Sequence, residues 1–173
     1  MSRRARLPGT VWALGLVSLL TDLGSEMIVP LLPLFLAGIG GSMLQLGLLQ
    51  GVSEFVLSGL KLASGWWSHK VTRRNPLIVI AYTIAWVARP LVAIAQTATQ
   101  VLAIRVSDRV GKGIRNSPRD ALIADSVDPS IRGRAFGFHR TGDHTGALLG
   151  PLIAFVLLKF AFEVRTVFWL AAI

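Results

Sequence analysis

Four stretches of this sequence stay apolar for longer than a soluble helix or strand requires: residues 11–37, 43–67, 76–96 and 136–161. A helix that crosses a bilayer needs about 20 mostly apolar residues. Another apolar run opens at Thr166 and reaches the last residue, Ile173. Composition points the same way. Of the 173 residues, 53% are hydrophobic and only 16% charged, with a mean hydropathy of +0.60. Globular domains average about 25% charged, and disordered chains and coiled coils carry more still. There is no cysteine, which excludes a disulfide framework, a zinc–thiolate site and an iron–sulfur cluster. The connectors 40–42, 69–75, 96–100 and 125–134 are short and rich in turn residues. None is long enough to be a soluble domain.

Residues 101–124 differ. They carry Arg105, Asp108, Arg109, Lys112, Arg115, Arg119 and Asp120. On a helix these fall within an arc of about 140°, with Val106, Val110, Ile114 and Ala121 opposite. Two readings compete. One is a basic amphipathic helix lying on a membrane surface or on nucleic acid. The other is a fourth membrane helix whose charged face lines a polar cavity. Seven charges exposed to lipid would cost roughly 20 kcal/mol, whereas one Leu returns only about 0.5 kcal/mol. A lipid-facing stripe is therefore excluded, and a cavity-lining one is not.

Charge placement favours the crossing. With the N-terminus inside, Arg3, Arg4 and Arg6 are cytoplasmic, as are Lys70, Arg73 and Arg74, and then Arg132 and Arg134. The external connectors at 38–42 and 96–100 carry no charge, and the third carries Glu163 and Arg165. This is the positive-inside pattern, and it holds only if 101–124 spans. The net charge of +9 thus belongs to cytoplasmic loops and one helix face, and nucleic acid is rejected as the main partner. The first apolar run is too long, and too interrupted by Asp22, Glu26, Pro30 and Pro33, for a cleaved signal peptide.

Within the membrane, Asp22 and Glu26 are four apart and share a helix face. An intramembrane carboxylate is a functional candidate, because burial and a nearby cation pull its proton affinity in opposite directions. The structural alternative is an ion pair that only fixes packing, with Arg109 or Lys112 as partner. Glu54 is a similar case, and Lys61 can snorkel toward the cytoplasm. Gly142, Gly146 and Gly150, followed by Pro151 and Ala154, place small residues where two helix backbones can touch. His139, Arg140 and Asp143 add polar groups to that helix. His139 and His144 are five apart and do not share a face, so no metal site is expected, and His139 reads as a hydrogen-bonded residue at the membrane edge or a proton carrier. Gly111-Lys112-Gly113 is not a phosphate loop, since Ser107 stands where the leading glycine belongs and Gly113 where Ser or Thr belongs. No nucleophile–base–orienter set and no His-Glu-x-x-His is present, so no enzyme and no cofactor is expected.

These residues assemble a resemblance. Gly65-Trp66-Trp67-Ser68-His69-Lys70-Val71-Thr72-Arg73-Arg74 resembles the cytoplasmic signature Gly-x-x-x-Asp-Arg-x-Gly-Arg-Arg of the major facilitator superfamily. Arg105 fits that family's second motif, and Gly146-x-x-x-Gly150-Pro151 its helix-five antiporter motif. Asp22-x-x-Ser25-Glu26, the string from Asp108 to Asp125 and Gly133-Arg134-Ala135-Phe136-Gly137 are similar to a prokaryotic branch that includes nickel-resistance permeases. His69 and Thr72 depart from the signature, which puts the strength of that gate in question. The resemblance implies the N-terminal half of a secondary transporter, with two halves rocking about a midplane site. It implies proton-coupled export of a small molecule or cation. It also implies a cytoplasmic gate at Gly65, His69, Lys70, Arg73 and Arg74, and a hinge at Gly142, Gly146, Gly150 and Pro151. A proton or substrate cavity would then hold Asp22, Glu26, Glu54, Arg105, Asp108, Arg109, Lys112, Arg140 and Asp143, with Arg109 tuning the carboxylates.

The expected fold is therefore all-α, a polytopic bundle of five complete membrane helices and a truncated sixth in a prokaryotic inner membrane. The expected partners are the lipid bilayer, a small-molecule or cation substrate, and a missing C-terminal half or a second copy. A half-length module that pairs with another six-helix chain without transporting is the alternative. A natural product of about twice 18.7 kDa would carry the second half. Extraction from membranes should require detergent. Release by 1 M salt, which screens charges beyond about 3 Å, would return the chain to the surface-bound reading.

Overall fold

A computed structural model describes residues 6–68 and 75–172. All the regular structure among them is helical: α1 Gly9–Ile28, α2 Leu32–Gly38, α3 Met43–Ser68, α4 Asn75–Ile94, α5 Ala98–Asp125, α6 Arg132–Lys159 and α7 Val164–Leu170. Single 3-10 turns at Val29–Leu31 and Pro129–Ile131 precede α2 and α6. The first apolar run was expected as one helix, 11–37. Pro30 lacks the N–H that a continuous helix would use, and the run divides there into α1, a 3-10 turn and α2. Pro90, Pro118 and Pro151 are instead accommodated inside α4, α5 and α6.

By length and composition, four segments among the described residues are able to cross a membrane: Gly9–Gly38, Met43–Trp66, Asn75–Ile94 and Pro129–Lys159. The fifth crossing follows from packing. Gly142, Gly146 and Gly150 of α6 meet Gly15, Leu19 and Leu23 of α1 in the same order, so α1 and α6 run parallel. Glu54 and Leu60 of α3 meet Arg109 and Gly113 of α5, also parallel. Arg89 and Ala81 of α4 meet Asp108 and Gly111 of α5, antiparallel. Helix direction thus alternates through α1, α3, α4, α5 and α6, and α5 crosses alongside its neighbours. Its 28 residues extend about 42 Å at 1.5 Å per residue, enough for the hydrocarbon core.

Glycines set how closely these helices approach. A Cβ at Gly146 would stand 2.5 Å from the Leu19 carbonyl oxygen, and one at Gly150 would stand 2.6 Å from that of Leu23. On α5, Gly111 faces Ala81 of α4, and Gly113 faces Leu60 of α3, both at 2.6 Å. Two residues apart on a helix is about 200°, so this pair lets α5 sit tightly between two helices at once.

Apolar burial is divided between the two ends of the bundle. Met27, Ile28, Leu32, Phe35, Leu36, Leu49, Val92, Val101, Val167 and Phe168 belong to a cluster at one end. Val11, Ile123, Val127 and Ala135 form a smaller one at the other. Between them lie buried charged groups, together with Leu57, Ala81, Ala85 and Ala88. Outward the pattern reverses, with Phe55, Leu62, Trp66, Trp86 and Phe155 exposed. An apolar exterior around a polar middle suits lipid.

The connectors are held locally. Thr97 caps α5, accepting a hydrogen bond from the Gln100 amide, while the Gln100 side chain accepts from the Thr97 amide. Asp128 accepts from the Ser130 hydroxyl at 2.6 Å and from its amide at 2.9 Å. Those bonds hold its carboxyl below the usual carboxylate range.

The α1–α6 seam yields a test. Gly146→Leu should lower the thermal midpoint of the detergent-solubilised protein, since overpacking costs about 1–3 kcal/mol of stability. Gly137→Leu, on the same helix with open space around its Cα, should leave the midpoint unchanged.

Candidate functional site

The charged middle of the bundle is organised by α5. Arg105, Arg109, Lys112, Arg115 and Arg119 recur every three or four residues and share one face. Each meets a carboxylate, and the carboxylates come from four helices. Arg109 Nη2 lies 3.2 Å from Glu54 Oε1 on α3. Arg105 Nη1 lies 3.6 Å from Asp108 Oδ2, and Arg89 Nε of α4 reaches the other oxygen of that carboxylate at 3.7 Å. Lys112 Nζ stands 3.2 Å from Asp22 Oδ1 and 3.7 Å from Glu26 Oε1, both on α1. Arg115 Nη2 donates to the same Asp22 oxygen at 3.3 Å, with its guanidinium 4.5 Å from the centre of the Tyr82 ring. That stacking suits a desolvated arginine.

A second group lies one to two turns along. Arg119 donates to Ser18 Oγ at 3.0 Å and pairs with Asp120 at 3.2 Å and Asp143 at 3.8 Å. Arg140 of α6 bridges Asp120 at 3.1 Å and Asp143 at 3.4 Å. His139 was expected hydrogen-bonded at the membrane edge. It is buried, with Nδ1 3.5 Å from Asp143 Oδ2, and neither ring nitrogen makes a hydrogen bond among the described residues.

The cavity residues expected from sequence are therefore brought together, with two corrections. Arg109 was expected to tune Asp22 and Glu26. It pairs with Glu54, and the partners of Asp22 are Lys112 and Arg115. The two cations share one face of α5, but Glu54 of α3 supplies the carboxylate beside Arg109, while Asp22 and Glu26 of α1 supply those beside Lys112. The charged stripe was also expected to line a polar cavity. Most of it is shut between helices: the Arg105, Arg109, Arg115 and Arg119 side chains are 1–7% exposed. Lys112 at 21%, Glu26 at 26%, Asp120 at 32%, Arg140 at 53% and Glu54 at 54% are the more exposed members of the set. The glycine run of α6 lies on α1, as described above. Gly65 is half-buried and in ordinary contact with Ser117. His69, Lys70, Arg73 and Arg74 lie outside the described residues. No group of three or more metal-ligating side chains is present among the described residues.

Sequence reasoning passed over Arg89, Tyr82 and the paired glycines of α5, and gave Arg115 and Arg119 no partner. The signal for Arg89 was available, since a charge inside an otherwise apolar span marks a polar contact. The partners of Arg115 and Arg119 depended on helix order.

A family model for the Major Facilitator Superfamily matches residues 14–173. The chain belongs to that superfamily. It is similar to an uncharacterized MFS-type transporter of Methanocaldococcus jannaschii, 34% identical over 154 residues, 89% of this chain and 38% of the relative. An uncharacterized protein of Mycobacterium tuberculosis is 33% identical over 142 residues, 82% of this chain and 35% of its own. Multidrug resistance protein MdtH of Aeromonas hydrophila is 31% identical over 164 residues, covering 94% of this chain and 41% of that protein. The chain thus spans well under half the length of these relatives. Superfamily membership and the apolar exterior make it a multi-pass, all-α membrane protein.

The Asp108 pairing predicts a strong structural effect. Asp108→Leu leaves Arg89 and Arg105, each 2–3% exposed, without their shared counter-charge. Removing one member of a buried ion set costs about 3–5 kcal/mol. Asp108→Leu should therefore abolish the monodisperse peak in detergent gel filtration, and adding Arg89→Leu should recover part of it.

Proposed function

We propose that this chain is one half of a secondary transporter that exports a small molecule or cation by alternating access, driven by protons. The observation that carries the reading is the set Asp22–Lys112–Glu26. Two carboxylates of α1 converge on one ammonium of α5, in the polar middle of a bundle with a lipid-facing exterior. A carboxylate so placed can take up a proton when its cation moves away and release it when the cation returns. Asp22 and Glu26 are the coupling residues in this scheme. Lys112 and Arg115 set their charge state, the role first expected for Arg109.

Other features support the same reading. The α1–α6 glycine seam forms a close, smooth contact along which one helix can shift against the other. Its small residues, ending at Pro151, serve as the hinge. The cytoplasmic gate in this scheme is the set assigned from sequence, Gly65, His69, Lys70, Arg73 and Arg74, and the N-terminus is cytoplasmic, in the inner membrane of a prokaryote. The name of the Aeromonas hydrophila relative, a multidrug resistance protein, favours export. The absence of any hydrolytic constellation in the sequence favours transport without bond-breaking chemistry. Transport belongs to the assembly of two such halves, the second being a C-terminal half or another copy.

The test is Asp22→Asn in everted vesicles holding that assembly. Proton-driven efflux should fall at least tenfold, with membrane insertion unchanged. Efflux equal to that of the unsubstituted protein would refute the coupling role.

A further inference from the structure

We infer that Lys112 is a tethered surrogate for the substrate, and that the site it fills takes a monovalent organic cation, whose arrival displaces the lysine ammonium from Asp22 and Glu26. The inference rests on the transport reading above and names the substrate class of that same site.

Three observations carry it. First, the cation row of α5 is arginine at every position but this one. Arginine is a rigid, permanently charged fork suited to fixed pairing. Lysine is a point charge on a flexible four-carbon stem. Second, Lys112 is the accessible member of the row. Its side chain is 21% exposed, beside Glu26 at 26%, whereas the four arginines are 1–7% exposed. A charge that reaches open space at this depth faces a polar vestibule, since lipid exposure is too costly.

Third, the local charges sum correctly. Asp22, Glu26, Arg115 and Lys112 together are neutral. With the ammonium withdrawn the set carries −1, which one monovalent cation restores. A divalent ion would overshoot, and no group of three metal-ligating side chains is present among the described residues. Glu54 and Arg109 cancel each other nearby. Arg89, Arg105 and Asp108 carry a further +1, present with and without ligand, so a one-for-one exchange of the ammonium for a monovalent cation still leaves the site's charge unchanged. Displacement keeps the empty site from exposing unpaired carboxylates, and it makes substrate and lysine compete for the same oxygens.

The experiment reads the lysine directly. The full chain, in native membranes, is treated with an amine-reactive acetylating reagent, with and without tetraethylammonium, which does not itself react. Labelling at Lys112 is then quantified by mass spectrometry against the exposed Lys61 and Lys159. Tetraethylammonium should raise Lys112 labelling at least threefold and leave the other two lysines unchanged. Sodium chloride at equal ionic strength should leave all three unchanged. The double variant Asp22→Asn, Glu26→Gln should label at the raised level without any cation. The single variant Glu26→Gln, which keeps Asp22 on Arg115, should label at an intermediate level.

A wild-type Lys112 insensitive to tetraethylammonium, alongside a strongly labelled double variant, would overturn displacement and leave the coupling role to the efflux assay. An equal rise with sodium chloride would reduce the effect to charge screening and overturn the organic-cation class. Variants labelled no more than wild type would show that these carboxylates do not hold Lys112, overturning the inference and the site it rests on.

Discussion

A row of five cations on one helix, carried into an apolar medium, is the constraint around which this bundle is arranged. An unpaired guanidinium there is too costly to tolerate, so each member of the α5 row has to find a carboxylate. The acids come from α1, α3, α5 itself and α6, and Arg89 of α4 shares Asp108. The ion pairs therefore connect helices that are distant in sequence. They also place a charged layer between the two apolar clusters at the ends of the bundle.

Close backbone approach is the second requirement, and it is coupled to the first. Salt bridges of 3.2–3.8 Å form only where helix axes are near enough for side chains to meet. Gly111 and Gly113 bring α4 and α3 onto α5 at the level of Arg109 and Lys112. Gly142, Gly146 and Gly150 bring α6 onto α1, which carries Ser18, Asp22 and Glu26. In lipid there is no hydrophobic force between helices to compensate for a bulkier residue at these positions. The glycines and the charges thus act as one device.

Within that device the arginines and the lysine divide the work. The arginines are sequestered and hold helices in register. Lys112 and Glu26 are partly exposed. Burial, more than residue type alone, separates the sequestered part of the network from the accessible part.

Much of this was legible in the chain. Runs of apolar length set the membrane-spanning class, because roughly 20 residues fit one bilayer thickness. Periodicity placed the α5 cations on one face, and the spacing of Gly142, Gly146 and Gly150 marked a helix contact, since both follow from the 3.6-residue turn. Pairing was not legible. Whether Asp22 meets Arg109 or Lys112 depends on which side of α5 faces α1, and helix order and rotation fix that side through contacts between residues far apart in sequence. The break after Ile28 and the burial of the arginine row likewise needed the neighbours in place. Sequence by itself determined that the helices are membrane-embedded and that one bears charge, because those are local properties of length and period. Only the tertiary structure decided which charge neutralises which, because Coulomb partners in a low-dielectric interior are chosen by distance and accessibility, and neither is encoded along the chain.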